Sequence, residues 1–158
     1  MLQKKVYTYQ EAQSKLEHYC AYQERCHKEV RAKLIDMHMI PEVIDQIVCH
    51  LIDENYLNEE RFAISFARGK HVIKKWGRVR IKNVLKQKEI SPYNIKKALS
   101  QFEDAEYLKT FEDIAHKGFV SIKENNPYKK RNKLIQYLIY RGWESRLVYD
   151  KVYELIKP

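Results

Sequence analysis

The stretch VRAKLIDMHMIPEVIDQIVCHL, residues 30–51, returns in its apolar pattern as IKNVLKQKEISPYNIKKALSQF at 81–102 and as LIQYLIYRGWESRLVYDKVYEL at 134–155, with no gap in either alignment. Val30, Leu34, Met39, Ile44, Val48 and Leu51 become Ile81, Leu85, Ile90, Ile95, Leu99 and Phe102, then Leu134, Leu138, Trp143, Val148, Val152 and Leu155. Every equivalent position is apolar. Spacings of three, four or seven residues within each half put these side chains on one helical face. The five-residue step around Met39, Ile90 and Trp143 breaks that period, so a turn between two helices is expected there.

The 158 residues are few enough for one domain, but self-similarity at offsets of 51 and 53 marks three units in series. A piece of ~50–60 residues is marginal by itself, so stacking on its neighbour must supply much of its stability. With 4 Gly, 4 Pro, 44% hydrophobic and 32% charged residues, the chain suits helices with solvated outer faces and has little material for hairpins. The expected fold is all-α, with three tandem three-helix repeats in an elongated curved array. Their expected bounds are 1–56, 57–103 and 104–158.

Punctuation along the chain agrees with three helices per repeat. Thr8 and Glu11 form a capping-box pattern ahead of a helix running to about Cys20 or Tyr22. A second helix is expected from roughly Glu24 to Met37, and a third from Pro41 to near Asn55. Pro41 and Pro92 are equivalent, and each opens a third helix, where a missing N–H costs nothing; Ser91 supplies a cap. Asn58 caps the first helix of the second repeat, Glu59 and Glu60 favour its positive end, and Phe62 and Phe66 point inward. The next helix follows Gly77.

The third repeat begins at Asp104 and turns Tyr107, Phe111 and Ile114 inward. It breaks at Glu124-Asn125-Asn126-Pro127 and continues from Tyr128 to Tyr140. Gly142 suits a left-handed residue in the turn that follows. His38 and Glu89 hold that place in the other repeats, where a side chain costs about 1–2 kcal/mol, so those two turns are expected to differ in shape.

Several chemistries are disfavoured. No stretch approaches the ~18 uninterrupted apolar residues of a membrane span, and Met1–Tyr7 has no apolar run behind it; a soluble, cytoplasmic monomer is expected. Cys20, Cys26 and Cys49 are an odd set without paired spacing, which argues against a secreted disulfide framework. With His27 and His50 they match no common zinc finger, and buried small hydrophobes are the simpler reading. There is no nucleophile elbow, and Gly69, Gly77, Gly118 and Gly142 stand too far apart for a phosphate loop. No catalytic residue, metal or cofactor is expected. Trp143 and Phe62 lie in apolar register and are read as core.

The chemistry lies in the charge. Residues 1–60 carry a net −4, residues 61–99 a net +11 and residues 100–158 a net +2; Glu89 is the only acid among the middle thirty-nine. Lys75, Arg78, Lys82 and Lys86 recur at helical spacing, while Ile81, Val84, Leu85 and Lys88 lie on a different face. The row thus faces outward, accompanied by Arg68, Lys70, Lys74 and Arg80. A second cluster, Lys129, Lys130, Arg131 and Lys133, opens the equivalent helix of the third repeat. A charge run is ordinarily a solvated helix face. Solvated faces mix both signs, however, and eleven uncompensated charges call for an anionic partner, either nucleic acid or an acidic protein groove.

The run Leu57-Asn58-Glu59-Glu60-Arg61-Phe62-Ala63, behind a helix ending Leu51-Ile52-Asp53-Glu54-Asn55-Tyr56, resembles the signature of the RecX family of bacterial recombination regulators. The resemblance extends to the length, to Arg68, Lys70, Lys74 and Lys75, to the segment from Gly77 to Leu85, and to the three-fold repeat. The family's usual Asp is Glu59 here, and the glycine common near the second repeat's turn is Glu89. The resemblance implies a non-enzymatic protein that lodges in the groove of the RecA recombinase filament on single-stranded DNA and restrains its ATPase and strand exchange. Single-stranded DNA is then met directly or through the filament. The alternative is a free-standing DNA-binding protein, each unit a helix-turn-helix variant with a basic second helix for the groove.

Overall fold

The computed structural model describes residues 5–157. Among them the chain forms nine helices and no strand: α1 (Tyr9–Tyr22), α2 (His27–Asp36), α3 (Pro41–Asp53), α4 (Glu59–Lys74), α5 (Arg78–Gln87), α6 (Pro92–Ser100), α7 (Asp104–Ser121), α8 (Pro127–Tyr140) and α9 (Ser145–Leu155). They form a tandem array of three-helix repeats. Helix starts follow the local chemistry. Thr8 Oγ1 accepts from the Glu11 N–H at 3.1 Å while Glu11 Oε1 accepts from the Thr8 N–H at 3.2 Å. Asn58, Ser91 and Asn126 accept likewise from the N–H groups of Arg61, Asn94 and Lys129. Proline opens α3, α6 and α8.

One start differs from expectation. The second helix begins at His27, not near Glu24, because Gln23 and Cys26 are extended and Glu29 Oε1 accepts from the Cys26 N–H at 3.1 Å. That extended link frees Cys26 to leave its own unit's core, as described below.

Of the eighteen aligned apolar positions, Met39, Leu99, Phe102 and Leu155 are half-buried and the rest are buried. They build three cores, one per repeat. Trp143 and Phe62 are buried within theirs. Cys20 and Cys26 are buried, their thiols pushed up to about 11 chiefly by burial. Cys49, expected inside, is exposed, since one residue beyond buried Val48 the helix turns its side chain to the outer face of α3.

The three turns between second and third helices share one shape, contrary to expectation. His38, Glu89 and Gly142 all have positive φ, at 61°, 62° and 89°. In each turn the left-handed residue donates to the carbonyl three back (Ile35, Lys86, Ile139). The next residue, Met39, Ile90 or Trp143, donates to the carbonyl five back (Leu34, Leu85, Leu138). This Schellman pattern satisfies helix-terminal carbonyls and draws an apolar side chain onto the core, which offsets the strain at His38 and Glu89.

The repeats touch through a recurring contact in which the start of one unit's second helix meets the second helix and turn of the next. Cys26, before α2, packs into the middle core with Phe62, Ile81 and Leu85, and Lys28 Nζ donates to the Gln87 carbonyl at 2.9 Å. At the next junction the Gly77 N–H donates to the Arg141 carbonyl at 2.9 Å and the Val79 N–H to the Gly142 carbonyl at 3.0 Å. These backbones approach so closely that a Cβ on Gly77 would fall 2.3 Å from the Gly142 carbonyl oxygen.

Two stability measurements test this description. Leu85→Ala should cost about 2–5 kcal/mol in urea unfolding, because the side chain is fully buried in the middle core. Glu89→Gly should gain about 1 kcal/mol by relieving positive φ. Gly142→Ala should lose more than that, since its new Cβ would also lie 2.2 Å from the Arg80 Cβ.

Candidate interaction surface

The seven residues Leu57 to Ala63 prove to be a joint. Leu57 is buried in the first core, whereas Phe62 and Ala63 are buried in the middle one. Between them Asn58 caps α4. Glu59 Oε2 accepts from Asn94 Nδ2 at 2.5 Å at the start of α6, and Glu60 pairs with Lys97 at 2.8 Å. Arg61 reaches back: its Nε donates to Glu24 Oε1 at 2.6 Å, and its terminal nitrogens donate to the Asn55 side chain and carbonyl and to the Tyr56 carbonyl. A guanidinium satisfied on three sides explains why arginine, not lysine, stands there. The run holds two repeats together and presents no free reactive group.

The basic residues of the middle repeat divide into pinned and outward ones. Arg78 is pinned. Its N–H donates to the Tyr107 hydroxyl at 3.0 Å, its guanidinium lies 3.8 Å from that ring's centroid, and it reaches Asp104 at 3.5 Å. Arg80 lies over the Trp76 and Tyr140 rings, at 4.1 and 4.6 Å, and donates to the Tyr140 carbonyl. Lys70 is half-buried beside Phe66 and Trp76.

Arg68, Lys74, Lys75, Lys82 and Lys86 are exposed. Lys75 is not continuous with the row on α5: it is the left-handed cap of α4, at φ 60°, and its carbonyl accepts from Trp143 Nε1 at 3.2 Å. The outward row therefore reduces to Lys82 and Lys86, with Lys75 displaced from it by the break at Trp76-Gly77. Among the described residues only Arg61, Arg78 and Lys97 of this repeat's twelve cations form ion pairs. In the third repeat Lys129 is exposed and Lys133 pairs with Glu124 at 2.8 Å. Lys130 and Arg131 lie over Phe119 and Tyr153.

Charge counting missed the residue at the centre of the second junction, His71. It is buried among aromatic rings, with centroids 4.5 Å from Phe102, 5.4 Å from Tyr107 and 5.8 Å from Trp143. Its Nδ1 lies 2.8 Å from the Trp76 carbonyl, so Nδ1 carries a proton and donates it. Burial is the main force holding its pKa below the ordinary imidazole value; the Trp76 carbonyl opposes, and the nearby Lys75 and Arg78 charges reinforce. The Tyr107 hydroxyl donates to Glu144 while accepting from Arg78, and burial first, then the Glu144 hydrogen bond, raise its pKa. The signal for this cluster was aromatic spacing, which alone does not distinguish a junction from a core.

Sequence and structure comparisons bear on the whole array. Residues 58–99 match the RecX second three-helix domain and residues 104–152 the RecX third three-helix domain. The chain is 26% identical over 128 residues to the regulatory protein RecX of Leuconostoc mesenteroides, spanning 79% of this chain and 48% of that protein. It is 30% identical over 127 residues to that of Streptococcus sanguinis, spanning 80% and 48%. It thus covers about half the length of these relatives. A crystal structure of RecX from Lactobacillus salivarius superposes with a TM-score of 0.78 at 25% identity, covering 93% of this chain and 96% of that one.

The neutral His71 makes stability depend on pH with a definite sign. Its folded pKa lies below the unfolded value of about 6.5, so the contribution is complete above that pH. Below it, the unfolded chain takes up a proton that the folded junction excludes, and stability falls. In urea unfolding between about pH 7 and pH 5, the parent should lose more stability than His71→Phe; equal losses would remove His71 from this role.

Proposed function

The chain belongs to the RecX family, and from that premise and the outward charge of its middle repeat we propose that it is a regulatory protein of the RecA filament on single-stranded DNA. It restrains the filament's ATPase and strand exchange without catalysing a reaction itself. The observation that carries this reading is the exposed charge on a rigidly jointed unit: Lys82 and Lys86 project from α5, and Arg68, Lys74 and Lys75 from the second half of α4 and its cap, none of them in an ion pair among the described residues. A tandem array offers such charge along a surface long enough to span successive subunits of a filament. Lys129, exposed on the third repeat, extends the candidate surface there, while Lys133 is held by Glu124.

The alternative, a free-standing helix-turn-helix protein, needs the N-terminal end of the second helix to reach base edges. In the middle repeat that end is the part docked on the third, through Gly77, Val79 and Arg80. The geometry thus favours a surface that follows an anionic filament over a helix entering a groove. Among the described residues no helix is long and apolar enough to cross a membrane.

Lys82→Glu with Lys86→Glu tests the surface, because both side chains are exposed and neither serves a junction. Arg78, attractive on spacing alone, is unsuitable, since its loss opens the joint to the third repeat. The parent should lower RecA ATPase on single-stranded DNA at concentrations where naked DNA is barely bound. The double reversal should keep its melting temperature and lose most of that effect, with the difference shrinking as salt rises past about 0.15 M. Full regulation by the folded variant would return these lysines to an ordinary solvated face. A log–log salt slope near −4 to −5 on duplex DNA alone, without any effect on RecA, would favour the alternative.

A further inference from the structure

The first repeat, residues 1–56, holds 7 Lys/Arg against 9 Asp/Glu, a net −2, yet its cations are not dispersed among its acids. Lys28 and Arg31 are engaged at the Gln87 carbonyl and at Asp45. Lys5, Lys15, Arg25 and Lys33 instead gather about two tyrosines. Lys5 and Lys15 stand 4.9 and 5.0 Å from the Tyr7 ring centroid, and Lys15 Nζ donates to the Tyr7 hydroxyl at 3.0 Å. The Arg25 guanidinium stacks 3.7 Å from the Tyr19 centroid and Lys33 lies 5.6 Å from it. The acids on and around α1 are held by other groups: Glu17 by His50, Glu24 by Arg61, Glu29 by the Cys26 N–H, and Glu11, at the rim, by Thr8. Those lysines, Lys15 foremost through its hydrogen bond, also draw the Tyr7 hydroxyl's pKa down.

The patch is continuous. A shallow cleft of about 630 Å³ is bordered by His18, Tyr22 and Lys33, and one of about 510 Å³ by Lys5 and Tyr7; Lys15 and His18 belong to both. On α1, Lys15, His18, Tyr19 and Tyr22 occupy positions i, i+3, i+4 and i+7, one face rising about 10 Å. That is roughly three steps of ~3.4 Å along a stacked nucleic-acid strand. Tyr22 is 82% exposed, an aromatic left open at the end of the cationic stripe. Cations that track phosphates, interleaved with rings on which bases stack, are the requirements of single-strand binding. An anionic membrane would call for a broad apolar face to insert, whereas beside the single open aliphatic Val6 the open side chains of this patch are hydroxyl-bearing aromatics and cations.

We propose that this face of α1 and α2 is a second binding site, specific for a single strand of nucleic acid: Lys15, Arg25 and Lys33 meet phosphates, and Tyr22, with the Arg25-backed Tyr19, stacks on bases. It is separate from the α5 surface and does not depend on any recombinase.

Fluorescence anisotropy with a labelled thymidylate 20-mer, the corresponding duplex, and vesicles containing phosphatidylserine tests it on the full chain. At about 50 mM salt, Lys15→Glu with Lys33→Glu should weaken single-strand binding at least tenfold and flatten the log–log salt slope by about 1.4, or ~0.7 for each lost phosphate contact. Tyr22→Ala, which alters a side chain too exposed to affect folding, should weaken it about fivefold or more with the slope unchanged. Lys82→Glu with Lys86→Glu should leave both effects in place. Parent-like binding by both folded patch variants would overturn the site, as would equal use of these residues for the duplex or tighter binding to the vesicles. Because the assay contains no RecA, failure here leaves the filament reading standing, and failure of that reading leaves this site standing.

Discussion

The structure depends on a backbone contact between repeats, the start of one second helix seated on the turn of the next unit. A three-helix unit of about fifty residues buries too little to be secure alone, so the joint must supply what the core cannot. At the second junction the contact is as close as two backbones allow. Gly77 and Gly142 meet where any side chain would collide, and their hydrogen bonds run between main chains. Such bonds tolerate no rotamer freedom, and the aromatic cluster of His71, Phe102, Tyr107 and Trp143 closes over them. The left-handed turn therefore ends α8 and also shapes the seat for its neighbour.

The same joint explains how a repeat whose residues 61–99 carry a net +11 remains folded. Its neighbours contribute acids where the charge is most confined: Glu24 to Arg61 on one side, Asp104 to Arg78 on the other. The middle repeat is thus neutralised at its ends and left charged along its outer faces. Those remaining charges repel one another, and an anionic partner would relieve them. Folding and the proposed binding accordingly call on different members of one basic set, and the separation is spatial.

Most of the fold was legible because the apolar period was written three times over, and the prolines and caps at Thr8, Pro41, Asn58, Ser91 and Pro92 punctuated it consistently. The turns were misjudged because His38 and Glu89 were weighed as isolated strained residues, when five-back hydrogen bonds and the packing of half-buried Met39 and buried Ile90 compensate for them. The start of α2 was misplaced for a related reason: the pattern is local, whereas Cys26 answers to the core of the next repeat. Spacing also joined Lys75 to Arg78 and Lys82 across Trp76-Gly77, where the chain leaves the helix.

The charge on the first repeat shows most directly what a net count conceals. A sum of −2 suggests a mildly acidic, inert unit, but the sum is indifferent to where each charge points. Glu17, Glu24, Glu29 and Asp45 are each bonded to groups outside the tyrosine patch, and among the described residues its cations form no ion pair. Within roughly one Debye length, about 8 Å at physiological salt, an approaching anion senses that local arrangement more than the whole unit's charge. The relevant quantity for an array of this kind is therefore the pairing of each charge across a joint, which determines both what holds the repeats together and what they leave exposed to a partner.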